Sequence, residues 1–163
     1  MNLSEAIRFL EENQPLPPDL EMGEKIIIFD EARKLLQTTP DANGLRLLLS
    51  AFGEGDGFGV YQLVEMTALA YPSTVVIPIL KQHLSSPFES VRYWNAQIAA
   101  SFPDENLIDD LAQLLDGDFD LRYAVITALG QIKSTRARAI LSEQKATEKV
   151  QELQELISSE LMS

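Results

Sequence analysis

The chain has 163 residues, of which 45% are hydrophobic, enough to build a continuous core in one domain and too many for a largely disordered protein. Its 25 acidic and 13 basic residues give a formal charge of −12, which opposes binding to nucleic acid because phosphates are bound through lysine and arginine. No apolar run reaches the roughly 18–20 residues that cross a bilayer and the first residues lack the basic start of a secretion signal, so we expect a cytoplasmic protein that contacts neither membranes nor nucleic acid.

The first 40 residues predict a helical cap at the N-terminal end of the domain. Apolar residues recur at helical spacing behind Ser4, a possible N-cap, until a proline-rich stretch at residues 15–18 ends the first helix. Asp19 can cap a second helix, which we expect from about residue 20 to residue 37.

A third helix opens at Asp41, and the glycine-rich segment 53–59 follows it. A phosphate-binding loop would need a lysine and then a serine or threonine after the last glycine, and a calcium loop would need a glutamate at its twelfth position. The segment has neither feature, and it falls where the two helices of a pair must be joined. We therefore interpret it as a long turn rather than a ligand-binding loop.

The second half of the chain repeats itself. The segment Phe88–Tyr93 returns, one residue shorter, as Phe119–Tyr123. Many apolar positions ahead of these motifs recur at a spacing of 31 residues, and helix-ending prolines keep the same spacing. The pairs are Leu84 and Leu115, Leu80 and Leu111, Ile77 and Ile108, Val76 and Leu107, Pro72 and Pro103, Tyr71 and Phe102, and Val60 and Val91. Periods of roughly 20–50 residues indicate stacked supersecondary units, none of which can bury its apolar face alone.

The repeat predicts an all-α fold, a short right-handed α-solenoid of stacked antiparallel helix pairs with about seven to nine helices. We expect one domain, residues 1–163, with an N-terminal cap at 1–40 and a C-terminal repeat or cap at 134–163. The repeats between them should cover residues 41–72, 73–103 and 104–133. The cap should turn its charged residues outward, and these are Lys145, Glu148, Lys149, Glu152 and Glu155.

The repeated motif has a recognisable order of residue types. An acidic residue in the turn, Glu89 or Asp120, precedes an aliphatic–arginine pair, and small and apolar positions follow at 98–99 and 128–129. This order resembles the HEAT-repeat superfamily, most closely its short-period branch, found in phycobilin lyases. The likeness extends over residues 73–135 and is weaker over 45–72, where Tyr61 replaces the arginine. The resemblance implies a HEAT-like fold and, as an alternative function, a lyase or chaperone for a bilin or another tetrapyrrole.

The sequence offers little for catalysis. Its one histidine, His83, is expected at the surface or edge of a first helix and cannot build a zinc site in a chain with 0 cysteines. The adjacent carboxylates of Asp109 and Asp110 diverge on a helix, and no serine stands in a nucleophile-elbow pattern. We expect no enzyme, no metal and no cofactor.

Binding is the favoured function, because helical repeats commonly place their second helices along a concave groove. Tyrosine, tryptophan and arginine dominate the energetics of interfaces, and several occur on these helices. The candidate groove residues are Gln62, Met66, Arg92, Tyr93, Trp94, Gln97, Arg122, Tyr123 and Thr127. Two points stay open at this stage: Trp94 could belong to the core, with the arginines only joining repeats, and Asn95 could be either a core or a groove residue.

The acidic charge indicates the kind of partner. Residues 1–132 contain 20 acidic and 8 basic residues and so carry all of the −12, whereas residues 133–163 contain 5 of each. We interpret the chain as a protein-interaction scaffold or adaptor, or an inhibitor of the bacterial immunity type, whose acidic body attracts another protein with a basic surface. Neither the partner nor the oligomeric state follows from the sequence.

Substitution of Leu111, one of the recurring leucines, tests the predicted core. Leu111→Ala should lower the free energy of unfolding by about 2–5 kcal/mol, because it removes buried methyl groups and leaves a cavity. Chemical denaturation measures the loss, and an unchanged melting temperature would place this residue outside the core.

Overall fold

The computed structural model describes all 163 residues and contains helices and no strands. The ten α-helices, one more than the upper end of the expected number, are α1 (Leu3–Glu12), α2 (Lys25–Thr38), α3 (Ala42–Leu48), α4 (Val64–Ala68), α5 (Ser73–His83), α6 (Glu89–Ala99), α7 (Ile108–Ala112), α8 (Phe119–Gln131), α9 (Thr135–Thr147) and α10 (Gln151–Met162). None of them is both long enough and apolar enough to span a membrane.

The helices pack as hairpins stacked side by side. Helix α5 packs against α6, α7 against α8 and α9 against α10, and the second helices form a row in which α8 lies between α6 and α10. Near the N-terminus α1 packs against α2 and α3, and α2 packs against α4. The prediction of an all-α solenoid of helix pairs is confirmed. The division into repeats at 41–72, 73–103 and 104–133 stays a prediction.

One hydrophobic core runs through the whole stack, from Ala6 to Ile157. The recurring positions lie inside it: Leu80 and Leu111 are fully buried in successive first helices. Residues that follow successive second helices are buried in the same way, and they are Tyr71, Phe102 and Ile132. Each such side chain contributes about 1.5–3 kcal/mol by leaving water, so many modest terms hold the stack together.

The first two helices begin at other residues than the sequence predicts. Asn2, not Ser4, caps α1, because its side chain accepts the N–H of Glu5 at 2.9 Å while the Glu5 carboxylate accepts the N–H of Asn2 at 3.0 Å. Helix α2 begins at Lys25 rather than near residue 20, since Gly23 has a φ of +55°, a left-handed conformation that interrupts a helix.

Asp19, predicted to cap α2, holds the glycine-rich segment 53–59 instead. Its two carboxylate oxygens accept the backbone N–H groups of Asp56 and Gly57, each at 3.1 Å. Gly57 has a φ of +59°, which orients these consecutive N–H groups towards one anion. The segment is therefore a turn fixed against the proline-rich stretch at residues 15–18.

Hydrogen bonds attach the N-terminal region to the helices that follow it. The Tyr71 hydroxyl donates to the Leu36 carbonyl oxygen at 2.8 Å and accepts the N–H of Asp41 at 3.0 Å, and burial raises the pKa of this phenol. Gln14 donates from its side chain to the Leu47 carbonyl oxygen at 2.9 Å. Helices α1 and α2 thus belong to the same packed body as the repeats.

Asn95 is a core residue. It is fully buried at the position where neighbouring helices have valine, and its amide group donates to the carbonyl oxygens of Leu49 at 2.8 Å and Val91 at 2.7 Å. Its side-chain oxygen has no hydrogen-bond partner. The Leu49 carbonyl lies just past the end of α3, so Asn95 joins α6 to the preceding helix pair.

Replacing Asn95 tests how much its hydrogen bonds contribute to the stability of the protein. Asn95→Ala should cost about 1–3 kcal/mol of stability, because the buried Leu49 carbonyl loses a donor that water cannot replace. Urea denaturation of the variant and the parent protein measures the difference. Equal midpoints would show that the orphaned side-chain oxygen cancels the benefit of the two hydrogen bonds.

Candidate functional site

The two repeated arginines bind the turns that precede their own helices. Arg92 donates through Nη1 to the Ser86 carbonyl oxygen at 2.7 Å, and Arg122 donates through Nη1 to the Gly117 carbonyl oxygen, also at 2.7 Å. The two carbonyl groups stand 31 residues apart, the spacing of the repeat. Each arginine therefore links the two helices of its own hairpin.

Arg122 makes a second interaction that Arg92 lacks. Its Nε donates to Glu148 Oε1 at 3.1 Å, and Glu148 Oε2 accepts the N–H groups of Lys149 at 3.0 Å and Val150 at 3.2 Å. Burial raises the pKa of this carboxyl, but the hydrogen bonds from Val150 and Gln144 and the charge of Arg122 outweigh it, so the pKa is lowered. The expectation that Glu148 faces outward is wrong, because this carboxylate joins α8 to the last hairpin.

Tyr61 takes the place of the arginine in the preceding hairpin. The residue is buried, and its hydroxyl accepts the N–H of Gly53 at 3.0 Å. Burial raises the pKa of Tyr61 to about 12. The ring packs edge-on against Phe29, Phe52 and Trp94, so an aromatic cluster replaces the polar link at this end of the stack.

A cavity of about 820 Å³ opens at the edge of the stack where α6 and α8 begin. Four segments line this turn-edge cavity: the proline-rich stretch, the glycine-rich turn and the starts of α6 and α8. Asp19 fixes the first two segments to each other, and the repeated motif supplies the other two. Distant parts of the chain therefore meet around one opening.

The turn-edge cavity is strongly acidic. It is lined by the carboxylates of Glu54, Asp56, Glu89, Asp116, Asp118 and Asp120. Against these six negative charges stands one positive charge, Arg92, which leaves a formal −5. All six carboxylate residues are exposed, and none of them is in an ion pair.

Unlike the carboxylates of the cavity, those on α7 form ion pairs. Asp110 pairs with Lys81 at 2.6 Å, and Asp109 pairs with Arg136. These pairs connect α7 with the first helices on either side of it, so basic groups of the same chain meet this acidic charge. The acidic residues around the turn-edge cavity form no ion pairs.

Aromatic side chains form part of the wall. Phe88, with 45% of its surface exposed, lines the cavity together with Tyr93 and Trp94. The Trp94 ring stacks on Phe52 at a centroid distance of 5.7 Å and meets Tyr93 edge-on at 5.0 Å. Trp94 thus contributes both to the core and to the turn-edge cavity.

The nine predicted groove residues separate into two groups. Arg92, Tyr93 and Trp94 line the turn-edge cavity. The other six do not line it: Arg122 is bound to Gly117 and Glu148, Gln62 is exposed just before α4, and Met66, Gln97, Tyr123 and Thr127 lie at least partly exposed on the second helices. Tyr123 and Thr127 are four positions apart on α8 and share a face. Their part in binding stays a prediction.

Sequence reasoning missed the acidic lining. From the sequence, segment 53–59 is interpreted as a turn and the carboxylates of 116–120 have no assigned role, so the two segments are not considered together. The available signal was the placement of both segments directly before a second helix, since successive second helices begin at the same edge of a stack. The structure contains no group of three or more carboxylate or histidine side chains positioned to hold a metal ion.

His83 is buried rather than at the surface. Its Nε2 donates to the Arg46 carbonyl oxygen at 2.9 Å, which joins α5 to α3. Burial lowers the pKa of the imidazole, so this histidine is a neutral packing residue. The expectation of an edge position is wrong because the residue faces the neighbouring first helix.

Comparisons with known proteins agree with the helical architecture. A family model for HEAT repeats matches residues 77–160, which is 84 of the 163 residues. The matched range extends from α5 to α10 and includes both copies of the repeated motif. No curated protein matches the chain.

The two arginines allow a matched test of the link to Glu148. Arg122→Gln should lower the free energy of unfolding by about 1–3 kcal/mol at neutral pH, because it removes charged donors from a buried carboxylate. The lowered pKa of Glu148 means that its contribution is complete above the ordinary value of 4.5 and is lost as the pH falls through the folded value.

The effect of Arg122→Gln should therefore shrink as the pH falls below 4.5, whereas the effect of Arg92→Gln, whose partner is a carbonyl oxygen, should not. Urea denaturation of both variants across this range measures the two effects. The same pH dependence in both variants would contradict the assignment.

Proposed function

Because the chain belongs to the HEAT-repeat family, we propose that it is a non-enzymatic protein-interaction scaffold that binds a partner with a basic surface. Proteins built from stacked helical repeats use their extended surfaces for binding. The family assignment supports the role of a scaffold. The chemistry of the partner is inferred from the charges on this chain.

The observation that carries the proposal is the set of six exposed, unpaired carboxylates around the turn-edge cavity. Like charges held together repel one another, and this repulsion falls when a positively charged surface covers them. The carboxylates of α7 already form ion pairs within the chain, so they attract a second protein less strongly. The unpaired edge is therefore the favoured place for a basic partner to bind.

A second surface extends the contact area. The exposed faces of the second helices present Met66 and Tyr123, with exposed fractions of 56% and 40%. An adaptor could hold two partners on these two surfaces, and an inhibitor could cover the basic functional surface of one target. Both roles use the same acidic edge, so both belong to the proposal.

The absence of catalysis is also part of the proposal. His83, the residue type most often used as a general base, bonds to a backbone carbonyl group inside the protein. The cavity offers carboxylates, one guanidinium and aromatic rings, and these groups suit the recognition of a cation. A bilin or another tetrapyrrole, the alternative function, is less favoured there because its propionate groups would meet six carboxylates.

Partner capture tests the proposal. The purified protein should retain a protein with a basic surface from a lysate of its native cell at low salt, and mass spectrometry would identify it. Their affinity should fall about tenfold or more between about 0.01 M and 0.15 M salt, because the screening length contracts from about 30 Å to about 8 Å. A partner with an acidic surface, or an affinity that does not depend on salt, would contradict the proposal.

A further inference from the structure

We propose that the turn-edge cavity receives arginine or lysine side chains from an extended basic segment of the partner protein. This inference rests on the proposed function and adds the place and the chemistry of recognition.

The size of the cavity fits a segment of chain. Its volume of about 820 Å³ lies within the range of roughly 300–1,000 Å³ that is usual for binding sites of small organic groups. The lining comes from four segments spread from Pro15 to Leu121, so the opening is not centred on one residue. Several side chains of a peptide could enter it together.

The arrangement of the carboxylates favours organic cations over a metal ion. No three of them converge as metal coordination requires, although six line the same cavity. Cationic groups spaced along a peptide can each meet a different carboxylate. Arg92 does not neutralise the site, because its guanidinium binds the Ser86 carbonyl group and forms no ion pair with a cavity carboxylate.

The N-termini of two helices at the cavity oppose the binding of a cation. Helices α6 and α8 both begin there, and the N-terminus of a helix carries a partial positive charge. Asp118 offsets this charge at α8, where it accepts the N–H of Leu121 at 2.9 Å, and Glu89 lies in the first turn of α6. The net formal charge of −5 outweighs two partial positive charges, so the site favours a cation.

The aromatic wall adds a second source of recognition. A guanidinium or ammonium group within about 6 Å of an aromatic ring is attracted by the negative face of the ring. Trp94 is held in place by stacking on Phe52, so it is ordered before any ligand arrives. Phe88 is half exposed and can cover the methylene stem of a lysine or arginine side chain.

Trp94 also makes the test specific, because it is the only tryptophan in the chain. The probe is a tetra-arginine peptide with blocked termini, which has no fluorescence of its own in this range. Binding measured by calorimetry at low salt should be accompanied by a change in Trp94 emission with the same dissociation constant. Binding without an emission change would place the basic peptide elsewhere and overturn this inference while leaving the proposed function standing.

Charge-matched variants locate the site. Asp116→Asn combined with Asp120→Asn should weaken peptide binding about tenfold, because two exposed carboxylates of the cavity are neutralised. Glu31→Gln combined with Glu143→Gln removes the same charge from exposed positions outside the cavity and should change affinity less than about twofold. Equal weakening by both pairs would show a diffuse electrostatic attraction and would overturn the inference.

The repeat supplies a control for the aromatic contribution. Phe88→Ala should weaken binding about threefold, whereas Phe119→Ala, at the same position of the next repeat but outside the cavity lining, should not. Thermal unfolding of each variant verifies its fold.

Spermine and Ca²⁺ are the competing ligands. Either one bound in the cavity as tightly as the peptide would identify a small-cation site and overturn the inference. Failure of tetra-arginine to bind at all would overturn the inference and would also count against basic recognition in the proposed function.

Discussion

The structure depends on one constraint, which is that no helix pair in this chain can cover its own apolar face. Leu80 and Leu111 are fully buried, and their hairpins pack against each other through α6 and α8. Stacked hairpins satisfy this requirement at every step, so one core runs through the stack. Packing of this kind leaves the turns at the edges, where side chains are free to carry charge.

The acidic residues therefore fall into two groups, those that form ion pairs within the stack and those that line the cavity at its edge. Carboxylates on α7 lie beside neighbouring first helices and pair with Lys81 and Arg136. Carboxylates in the glycine-rich turn and at the starts of α6 and α8 line the cavity and form no ion pair. The same residue type thus stabilises the stack in one place and is available for recognition in another. The role of each carboxylate depends on whether it lies beside a neighbouring first helix or around the turn-edge cavity.

The sequence predicts the parts of the structure that are local or periodic. The spacing between Leu80 and Leu111 identifies the core, and the repeated arginine motif identifies where second helices begin. It does not predict Glu148, His83 or Asp19, because each of these side chains has a partner that lies 26 or more residues away in the chain. Each looks like an ordinary surface or capping residue until the hairpins are stacked. The acidic cavity is still harder to predict from the sequence, because it is lined by four segments that are distant from one another in the chain.

Hydrogen exchange measured by mass spectrometry tests the central claim most directly, with the basic partner recovered from the native cell as the ligand. The account predicts that binding slows exchange in the glycine-rich turn and at the starts of α6 and α8, the segments that line the cavity. Slower exchange confined to the exposed faces of the second helices, or none at the cavity, would contradict it.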